Sequence, residues 1–509
     1  MVAPGARRAL PLPVALTASV LAGASLDLAY PDLGWWPFAF LSVSVGLWTL
    51  VGRSLPTAFL VSGGFGAAFY LLHLSWVVTF LGPLPWLALA GLQSILFGAG
   101  GVLIALAYRL SRARGGVSEL LIPVWVAGLW VLRETLMGAW PYGGFPWSRV
   151  GLTLVDSPFA DTASWTGATG LSFLVVLVCA SALDAALRRR WQSLVASVAL
   201  LVAMYAVPLF PTESAGTLRL GWVQADGPSG YFDAKEPGDI LDAHLRATEP
   251  LRGQDVDLLV WPEGSVDADP LNDWSAAARL EELVETSGTD LLLNAATTRG
   301  DETFNTSLLW TSRGAEQLYD KAHPVPFGEY VPDRWFYETL APDLVGLIQR
   351  EYTPGSTSPT MDTAGTRIGL AICFDVIYDD VIYAAAVSGA ELYVLQTNNA
   401  DFRGTDENLQ QLAIARMRAI ETGRTVANIS TTGRSQIITK AGTVTSGLPE
   451  NTTGARISEV ALNSGTTPAV LLMPTLAPTL SAASILWFAA FPLARRLSPH
   501  STPKDRRAS

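Results

Sequence analysis

Long apolar segments constrain this chain more than any other feature of its sequence. A helix needs roughly 20 apolar residues to cross the hydrocarbon core of a bilayer, and eight stretches come close to or exceed that length. They cover residues 10–28, 34–51, 57–80, 84–110, 119–138, 163–187, 191–210 and 468–493. Half of the 509 residues are hydrophobic and only 16% are charged, which is unusual for a soluble protein of this size. The sequence therefore predicts a polytopic α-helical membrane bundle of about eight spans.

The loops between these segments differ in positive charge, and this difference indicates how the chain is oriented. Cytoplasmic loops of membrane proteins are enriched in lysine and arginine. The basic residues fall at the N-terminus, in every second loop and in the tail: Arg7, Arg8, Arg53, Arg109, Arg112, Arg114, Arg188, Arg189, Arg190, Arg495, Arg496, Lys504, Arg506 and Arg507. The alternate loops carry almost no positive charge, with Arg149 as the exception. This pattern predicts that both termini are cytoplasmic and that residues 211–465 lie on the outer face of the membrane.

The charge of the outer region excludes some classes of partner. Residues 211–465 contain 37 acidic and 18 basic residues, whereas the rest of the chain contains 8 acidic and 16 basic residues. Nucleic-acid binding requires a basic surface, so we expect no nucleic-acid partner. The chain has two cysteines, Cys179 and Cys373, and four widely separated histidines. We therefore expect neither a disulfide framework nor a metal site.

Residues 216–463 alternate short β-rich runs with helical segments, which is typical of a layered α/β domain. The predicted strands are Leu218–Gln224, Val256–Trp261, Leu291–Ala296, Ser307–Thr311, Ile368–Cys373, Leu392–Gln396 and Val426–Ser430. The predicted helices include Asp242–Glu249, Ser275–Thr286 and Glu407–Thr422. The predicted domains are an N-terminal transmembrane bundle at 1–210, the outer α/β domain at 216–463, a C-terminal transmembrane helix at 466–494 and a basic cytoplasmic tail at 497–509.

Three runs of the outer region carry residues suited to nucleophilic catalysis. A buried run ending in Trp261-Pro262 is followed by Glu263, and the run after residue 319 carries Lys321 and Glu329. The third run ends in Cys373, the only cysteine of the outer region. A thiol beside a carboxylate and an ammonium group has the parts of an activated nucleophile. Taken singly, each residue is as compatible with an ordinary structural role.

The ordered set of these motifs resembles the nitrilase superfamily, whose members carry a Glu-Lys-Cys triad on an αββα sandwich. The resemblance rests on Trp261-Pro262-Glu263, on Lys321 with Val325-Pro326-Phe327-Gly328-Glu329-Tyr330-Val331-Pro332, and on Cys373. Further matches are Val223-Gln224, Gln396-Thr397-Asn398-Asn399-Ala400 and the run from Ala415 to Arg424. Together with the membrane layout, the set is similar to the apolipoprotein N-acyltransferase family. The resemblance implies an α/β nitrilase-like αββα sandwich domain joined to the bundle.

The same resemblance implies roles for individual residues. Cys373 is expected to be the nucleophile, Glu263 the general base and Lys321 the group that stabilises the oxyanion. Residues expected to line the pocket or to orient these groups are Glu329, Phe374, Asp375, Trp261 and Phe232. The chain departs from the family in reading Cys373-Phe374-Asp375 where Cys-Tyr-Glu is common, and Tyr231-Phe232-Asp233 where a tryptophan is usual.

The implied activity is transfer of a fatty acyl group from a phospholipid to the N-terminal amine of an S-diacylglyceryl-cysteine apolipoprotein, through a cysteine thioester. The resemblance implies a monomeric enzyme of a bacterial inner membrane, with membrane lipid as a partner and no cofactor. Two alternatives remain open from the residues themselves. One is a membrane-bound nitrilase-type amidase or hydrolase, and the other is a polytopic transporter or sensor with an outer binding domain.

Overall fold

The computed structural model describes the backbone of residues 9–114 and 119–497, and the side chains of residues 9–111 and 119–487. Residues 498–509 of the predicted cytoplasmic tail lie outside the described residues, as do Arg7 and Arg8 of the N-terminus.

The N-terminal part of the chain is a bundle of apolar helices. Its helices are α1 (Leu12–Asp27), α2 (Pro37–Leu50), α3 (Leu55–His73), α4 (Val78–Leu81), α5 (Pro83–Arg114), α6 (Ile122–Met137), α7 (Ala163–Arg188) and α8 (Trp191–Ala206). Proline occupies the first turn of α1, α2, α3 and α6, where its missing N–H would have no helical partner anyway.

The prediction of membrane helices is confirmed, whereas the number eight stays a prediction. Within the described residues, four segments are long and apolar enough to cross a membrane: Leu55–His73, Pro83–Ser111, Ala160–Arg188 and Pro468–Trp487. The other four predicted spans correspond to the shorter helices α1, α2, α6 and α8, which have 14 to 16 residues.

The charged pair of α6 is held by other groups of the bundle. Arg133 Nη2 lies 3.5 Å from Glu134 Oε1, and the guanidinium lies over the Phe97 ring. Glu134 Oε1 also accepts hydrogen bonds from the Trp130 indole at 2.8 Å and from the Val150 N–H at 3.1 Å. Charges inside a span are costly unless they are paired, so these contacts give the pair a structural function.

The α/β domain after the bundle contains two six-stranded sheets within the described residues. The strands are β1 (Glu213–Gln224), β2 (Leu258–Val260), β3 (Leu291–Arg299), β4 (Glu302–Thr311), β5 (Gly314–Asp320), β6 (Thr360–Thr363), β7 (Thr366–Ile372), β8 (Leu392–Thr397), β9 (Thr425–Ser430), β10 (Ser435–Ile438), β11 (Val444–Leu448) and β12 (Gly454–Ser464). The first sheet has the order β12-β1-β2-β3-β4-β5, and the second has the order β11-β10-β9-β8-β7-β6. The central strands β1-β2-β3 and β7-β8-β9 are parallel, and the outer strands are antiparallel.

Helices connect the strands and cover both sheets. They are α9 (Asp239–Thr248), α10 (Trp274–Ser287), α11 (Arg334–Leu340), α12 (Pro342–Val345), α13 (Asp379–Val387) and α14 (Glu407–Thr422), and α15 (Pro468–Leu497) returns to the membrane. Apolar residues of both sheets, such as Leu258 and Ile372, form one buried core between them. The other face of the first sheet packs against α9 and α10. Apolar residues of α13 and α14 belong to a core that is continuous with the bundle. This order of layers confirms the αββα sandwich.

All seven predicted strands and the three predicted helices are present, with bounds shifted by a few residues. The predicted strand Ile368–Cys373 ends one residue early, because Cys373 begins a 3₁₀ turn over Cys373–Ile377. The strands β5, β6, β10, β11 and β12 were not predicted. Four of them are the edge strands of the two sheets, where a strand is partly exposed and its apolar pattern is weak, and β10 lies next to the edge strand β11.

Candidate active site

The Glu263 carboxylate projects from the loop that follows β2. Gly264 donates its N–H to Asn294 Oδ1 of β3 at 2.7 Å, which holds this loop against the neighbouring strand. The Asn294 amide in turn donates to Asn305 Oδ1 of β4 at 2.8 Å. Asn305 Nδ2 donates to Glu263 Oε1 at 2.8 Å. Glu263 is 8% exposed, so a chain of two asparagines orients a nearly buried carboxylate.

Lys321 lies just after β5 and faces two carboxylates. Its Nζ is 2.9 Å from Glu329 Oε2 and 3.6 Å from Glu263 Oε1, and the side chain is 1% exposed. Glu329 also accepts hydrogen bonds from Asn305 Nδ2 at 3.1 Å and from the Val325 N–H at 2.7 Å. Asn305 therefore bridges both carboxylates that hold the lysine.

Cys373 follows β7 at the carboxyl end of a parallel strand, the edge where α/β domains place their functional groups. Its backbone has φ +48°, a left-handed conformation that is uncommon for a residue with a side chain. The Asp375 carboxylate holds this turn, because it accepts hydrogen bonds from the Ile372 N–H, the His323 N–H and the Tyr319 hydroxyl at 3.2, 2.9 and 2.8 Å. Asp375 is fully buried, and its three hydrogen bonds fix the conformation of the turn that carries Cys373.

The charges of the site shift the pKa values of Glu263, Lys321 and Cys373. Burial raises the pKa of Glu263, while Lys321 opposes this shift and the nearby Glu329 adds to it. Burial lowers the pKa of Lys321, but the Glu329 and Glu263 carboxylates outweigh it and leave that pKa well above its usual value. Burial and Glu263 raise the pKa of the Cys373 thiol well above its usual value, against the effect of Lys321. The resting site therefore holds a neutral thiol beside a charged lysine.

The other predicted residues, Phe374, Trp261 and Phe232, lie in three different environments. Phe374 is buried on the bundle side, with its ring 5.8 Å from Phe145 and 6.4 Å from Trp147. The Trp261 indole lies in the core between the first sheet and its helices, and donates to Thr248 of α9 at 3.0 Å. Phe232 is 53% exposed and belongs to an aromatic group beside Phe80 of α4.

Three polar residues of the site were missed by the sequence analysis. Asn305 bridges Glu263 and Glu329, as described above. Gln411 of α14 donates its Nε2 to the Cys373 sulfur at 3.6 Å. Asn399, within a motif already matched to the family, donates to Gln411 Oε1 at 3.1 Å. What marks these residues is that they are polar side chains buried on a strand, a loop or a helix. The sequence does not show this, because it does not show which face of each element is buried.

The bundle contacts the domain directly behind the thiol. The indoles of Trp76 and Trp147 both donate to Gln410 Oε1 of α14, at 3.2 and 2.7 Å. Gln410 Nε2 donates to the His73 carbonyl of α3 at 3.3 Å. Gln410 precedes Gln411, so one helix joins the membrane helices to the thiol.

Comparison with known proteins agrees with this division of the chain. Residues 22–181 match the family described as the apolipoprotein N-acyltransferase N-terminal domain, and residues 219–467 match the carbon-nitrogen hydrolase family. A protein from Ralstonia nicotianae named apolipoprotein N-acyltransferase is 30% identical, over 97% of this chain and 96% of its own. A protein of the same name from Mycolicibacterium smegmatis is 29% identical, over 84% of this chain and 76% of its own. A solved CN-hydrolase superfamily structure from Xanthomonas campestris matches with 20% identity and a TM-score of 0.37, covering 54% of this chain and 96% of its own.

The sandwich and its cluster of Glu263, Lys321 and Cys373 define a carbon-nitrogen hydrolase domain joined to membrane helices. The 30% identity to the Ralstonia protein extends over nearly the full length of both chains, and so it includes the membrane helices as well as the sandwich. The chain belongs to the apolipoprotein N-acyltransferase family. This membership favours acyl transfer over the amidase and transporter alternatives.

Proposed function

We propose that this protein transfers a fatty acyl group from a phospholipid to the N-terminal amine of an S-diacylglyceryl-cysteine apolipoprotein, through a thioester on Cys373. The observation that carries the mechanism is the arrangement of Glu263, Lys321 and Cys373 at one edge of the sandwich, behind which the membrane helices pack. Both substrates are lipids, so a site joined to a membrane bundle suits the reaction.

In the first half of the reaction, Glu263 removes the proton from the Cys373 thiol while the sulfur attacks the ester carbonyl of the phospholipid. A base is needed because the thiol is neutral in the resting site. The Lys321 ammonium stabilises the negative oxygen of the tetrahedral intermediate. The C–O bond then breaks, Glu263 returns the proton to the glycerol oxygen, and a lysophospholipid leaves.

In the second half, the amine of the apolipoprotein attacks the thioester carbonyl. Glu263 accepts the proton that the nitrogen loses as the new C–N bond forms. The C–S bond breaks, the sulfur regains its proton, and the triacylated product leaves. Glu329 holds Lys321 in place throughout, and the two half-reactions make the kinetics ping-pong.

The test of this proposal is intact mass spectrometry of the purified protein after incubation with phosphatidylethanolamine. We expect the wild-type protein to gain the mass of one acyl group, and hydroxylamine to remove it. Cys373→Ala should gain nothing, and Cys179→Ala serves as the matched control because Cys179 is buried in α7 of the bundle. A wild-type protein that binds the lipid without gaining mass would overturn the thioester mechanism.

We also propose that the protein lies in the bacterial inner membrane with both termini in the cytoplasm and the sandwich on the outer face. The alternation of basic loops supports this orientation. A fluorescent fusion partner that matures only in the cytoplasm should fluoresce at the C-terminus and stay dark when inserted between Ala364 and Gly365, in an exposed turn. The reverse result would contradict the orientation.

A further inference from the structure

The Cys373 sulfur has a hydrogen-bond donor that the mechanism above does not use. Gln411 lies in the second turn of α14 and is 1% exposed, and its Nε2 is 3.6 Å from Cys373 Sγ. An amide N–H facing a sulfur stabilises a thiolate more than a thiol, because a hydrogen bond to a charged acceptor is the stronger one.

The orientation of the Gln411 amide is set by its neighbour Asn399. Asn399 Nδ2 donates both to Gln411 Oε1 at 3.1 Å and to Glu407 Oε2 at 2.8 Å. With its oxygen bound to Asn399, the Gln411 amide has only its N–H groups to present to Cys373. Reversing this amide would place its N–H₂ against the Asn399 donor and its oxygen against the sulfur.

Asn399 is itself held in one orientation. Its Oδ1 accepts hydrogen bonds from Asn408 Nδ2 at 3.1 Å and from the Ser430 hydroxyl at 2.8 Å. All these groups are buried. A buried polar network with every member satisfied fixes each side chain more firmly than any single bond would. The donor that faces the sulfur is therefore preorganised.

We propose that Gln411 is a further catalytic residue, whose side-chain amide donates a hydrogen bond to the Cys373 thiolate, and that Asn399 is the positioning residue that aims this amide. The inference rests on the proposed role of Cys373 as nucleophile. The sulfur carries negative charge when Glu263 removes its proton and again when the C–S bond of the thioester breaks. Gln411 lowers the free energy of the sulfur at both points.

The experiment measures the rate at which iodoacetamide alkylates Cys373 as a function of pH, with peptide mass spectrometry to separate Cys373 from Cys179. The variant is Gln411→Met, which keeps the length of the side chain and removes the donor. The same substitution at the exposed Gln254 is the matched control. Alkylation reports the thiolate directly and needs neither lipid nor acyl transfer.

We expect the alkylation profile of Gln411→Met to move to higher pH by about one pH unit or more, since losing a hydrogen bond to a charged group costs about tenfold to a hundredfold. Thioester formation at fixed pH should slow by a similar factor, with little change in KM for the phospholipid. The ionisable groups around the thiol, Glu263, Lys321, Glu329 and Glu407, are the same in every variant. An unchanged profile in folded Gln411→Met would overturn the proposal.

Asn399→Leu tests the positioning function and covers the case in which Gln411→Met does not fold. We expect it to move the alkylation profile in the same direction by a smaller amount. Because Asn399 also donates to Glu407, the double variant is made with Glu407→Gln present. There, Asn399→Leu in combination with Gln411→Met should add nothing further, because Asn399 acts through Gln411, whereas a purely structural effect would add. Additive effects, or an unmoved profile in Asn399→Leu, would overturn its positioning role.

These results are separable from a failure of the proposed function. If the wild-type protein forms no thioester, the acylation step is wrong, and a displaced alkylation profile in Gln411→Met still supports the donor. If the wild-type thioester forms and Gln411→Met matches it in both rate and profile, the function stands and the inference about Gln411 is overturned.

Discussion

At the scale of single residues, the proposed nucleophile Cys373 is protonated at rest and must lose its proton before it can attack. The Cys373 thiol is neutral because burial and the adjacent Glu263 carboxylate both raise its pKa. Burial also raises the pKa of Glu263 and so favours its neutral form. Transfer of the proton from the Cys373 sulfur to the Glu263 carboxylate therefore produces a neutral carboxylic acid, which is the form that this buried position favours. Lys321, held by two carboxylates, remains charged, as its proposed role toward the oxyanion requires.

Replacing the proposed base should therefore slow the chemical step without removing the thiol. We expect Glu263→Gln to lower the rate of thioester formation by about 10²–10⁴-fold, the usual contribution of a positioned base. The amide keeps an oxygen for the Asn305 donor, which preserves the local structure. Single-turnover mass spectrometry measures the rate, with the half-exposed Glu249→Gln as the control. A rate within threefold of wild type would contradict the base assignment.

Glu407 makes the stability of the protein depend on pH. Burial raises the pKa of Glu407 from 4.5 to about 7, with the Asn399 hydrogen bond opposing and Glu263 adding to the shift. Between these values the folded protein holds a proton that the unfolded chain has lost, so its stability falls as the pH rises from about 4.5 to 7. Glu407→Gln cannot titrate, and its Tm should exceed that of the wild type by more at pH 8 than at pH 5. Equal differences at the two pH values would contradict this account.

At the scale of elements, α14 connects the membrane bundle with the thiol. Two consecutive residues of this helix make the contacts. Gln410 accepts hydrogen bonds from the indole N–H groups of Trp76 and Trp147 in the bundle, and Gln411 donates one to the Cys373 sulfur. Trp147 also stacks near Phe374, the residue after Cys373. The helix begins with Glu407 and ends at Gly423, whose φ of +65° suits a glycine C-cap.

Removing the shared acceptor should affect both stability and activity. Gln410→Leu leaves two buried indole N–H groups without a partner, and each unsatisfied donor costs about 1–3 kcal/mol. We expect a clear fall in Tm in detergent and slower thioester formation, because Trp147 is freed to move against Phe374. Gln192→Leu, on an exposed position of α8, should change neither quantity. A Gln410→Leu protein with the wild-type Tm would contradict the anchoring function of these bonds.

At the scale of the whole molecule, a network of charged residues with the buried Arg418–Glu421 pair at its centre joins the sandwich to the bundle. Arg418 of α14 contacts Glu421 at 2.7 Å and Asp379 at 2.8 Å, and Arg149 from the bundle contacts Asp379 at 2.7 Å. Glu421 reaches the backbone N–H of Ala168 in α7, which is free because Gly167 interrupts the helix with φ +64°. Four charges and one helix kink thus form a continuous interface.

Breaking this network should weaken the contact between the sandwich and the bundle. Arg418→Met leaves Asp379 and Glu421 with less positive charge in a buried site, and removing one partner of a buried pair costs about 3–5 kcal/mol. We expect a lower Tm and faster cleavage by a protease at the segment 207–212, which joins the bundle to the sandwich. Arg219→Met, which removes an exposed pair with Asp255, should have little effect. Equal protease resistance in Arg418→Met and wild type would contradict this view of the interface.

Much of the fold was predictable because its signals are local. Apolar length predicts membrane helices, the alternation of β-rich and helical runs predicts the layered domain, and α14 was predicted at its observed bounds. Prediction was poorer at the sheet margins, where β10 and β11 have only four and five residues and β11 is partly exposed. It also placed Trp261 near the pocket, whereas β2 ends at Val260 and the indole turns to the opposite face of the sheet.

The sequence by itself determined the membrane character of the chain, and it predicted the two-part organisation and the three residues proposed for catalysis, because hydropathy and ordered motifs are read along the chain. Only the tertiary structure decided which neutral side chains serve those residues. Asn305 joins two carboxylates 42 and 24 positions away, and Gln411 reaches a sulfur 38 positions away. Such contacts depend on how two sheets and one helix pack, and amide side chains carry no charge or spacing that would mark them beforehand.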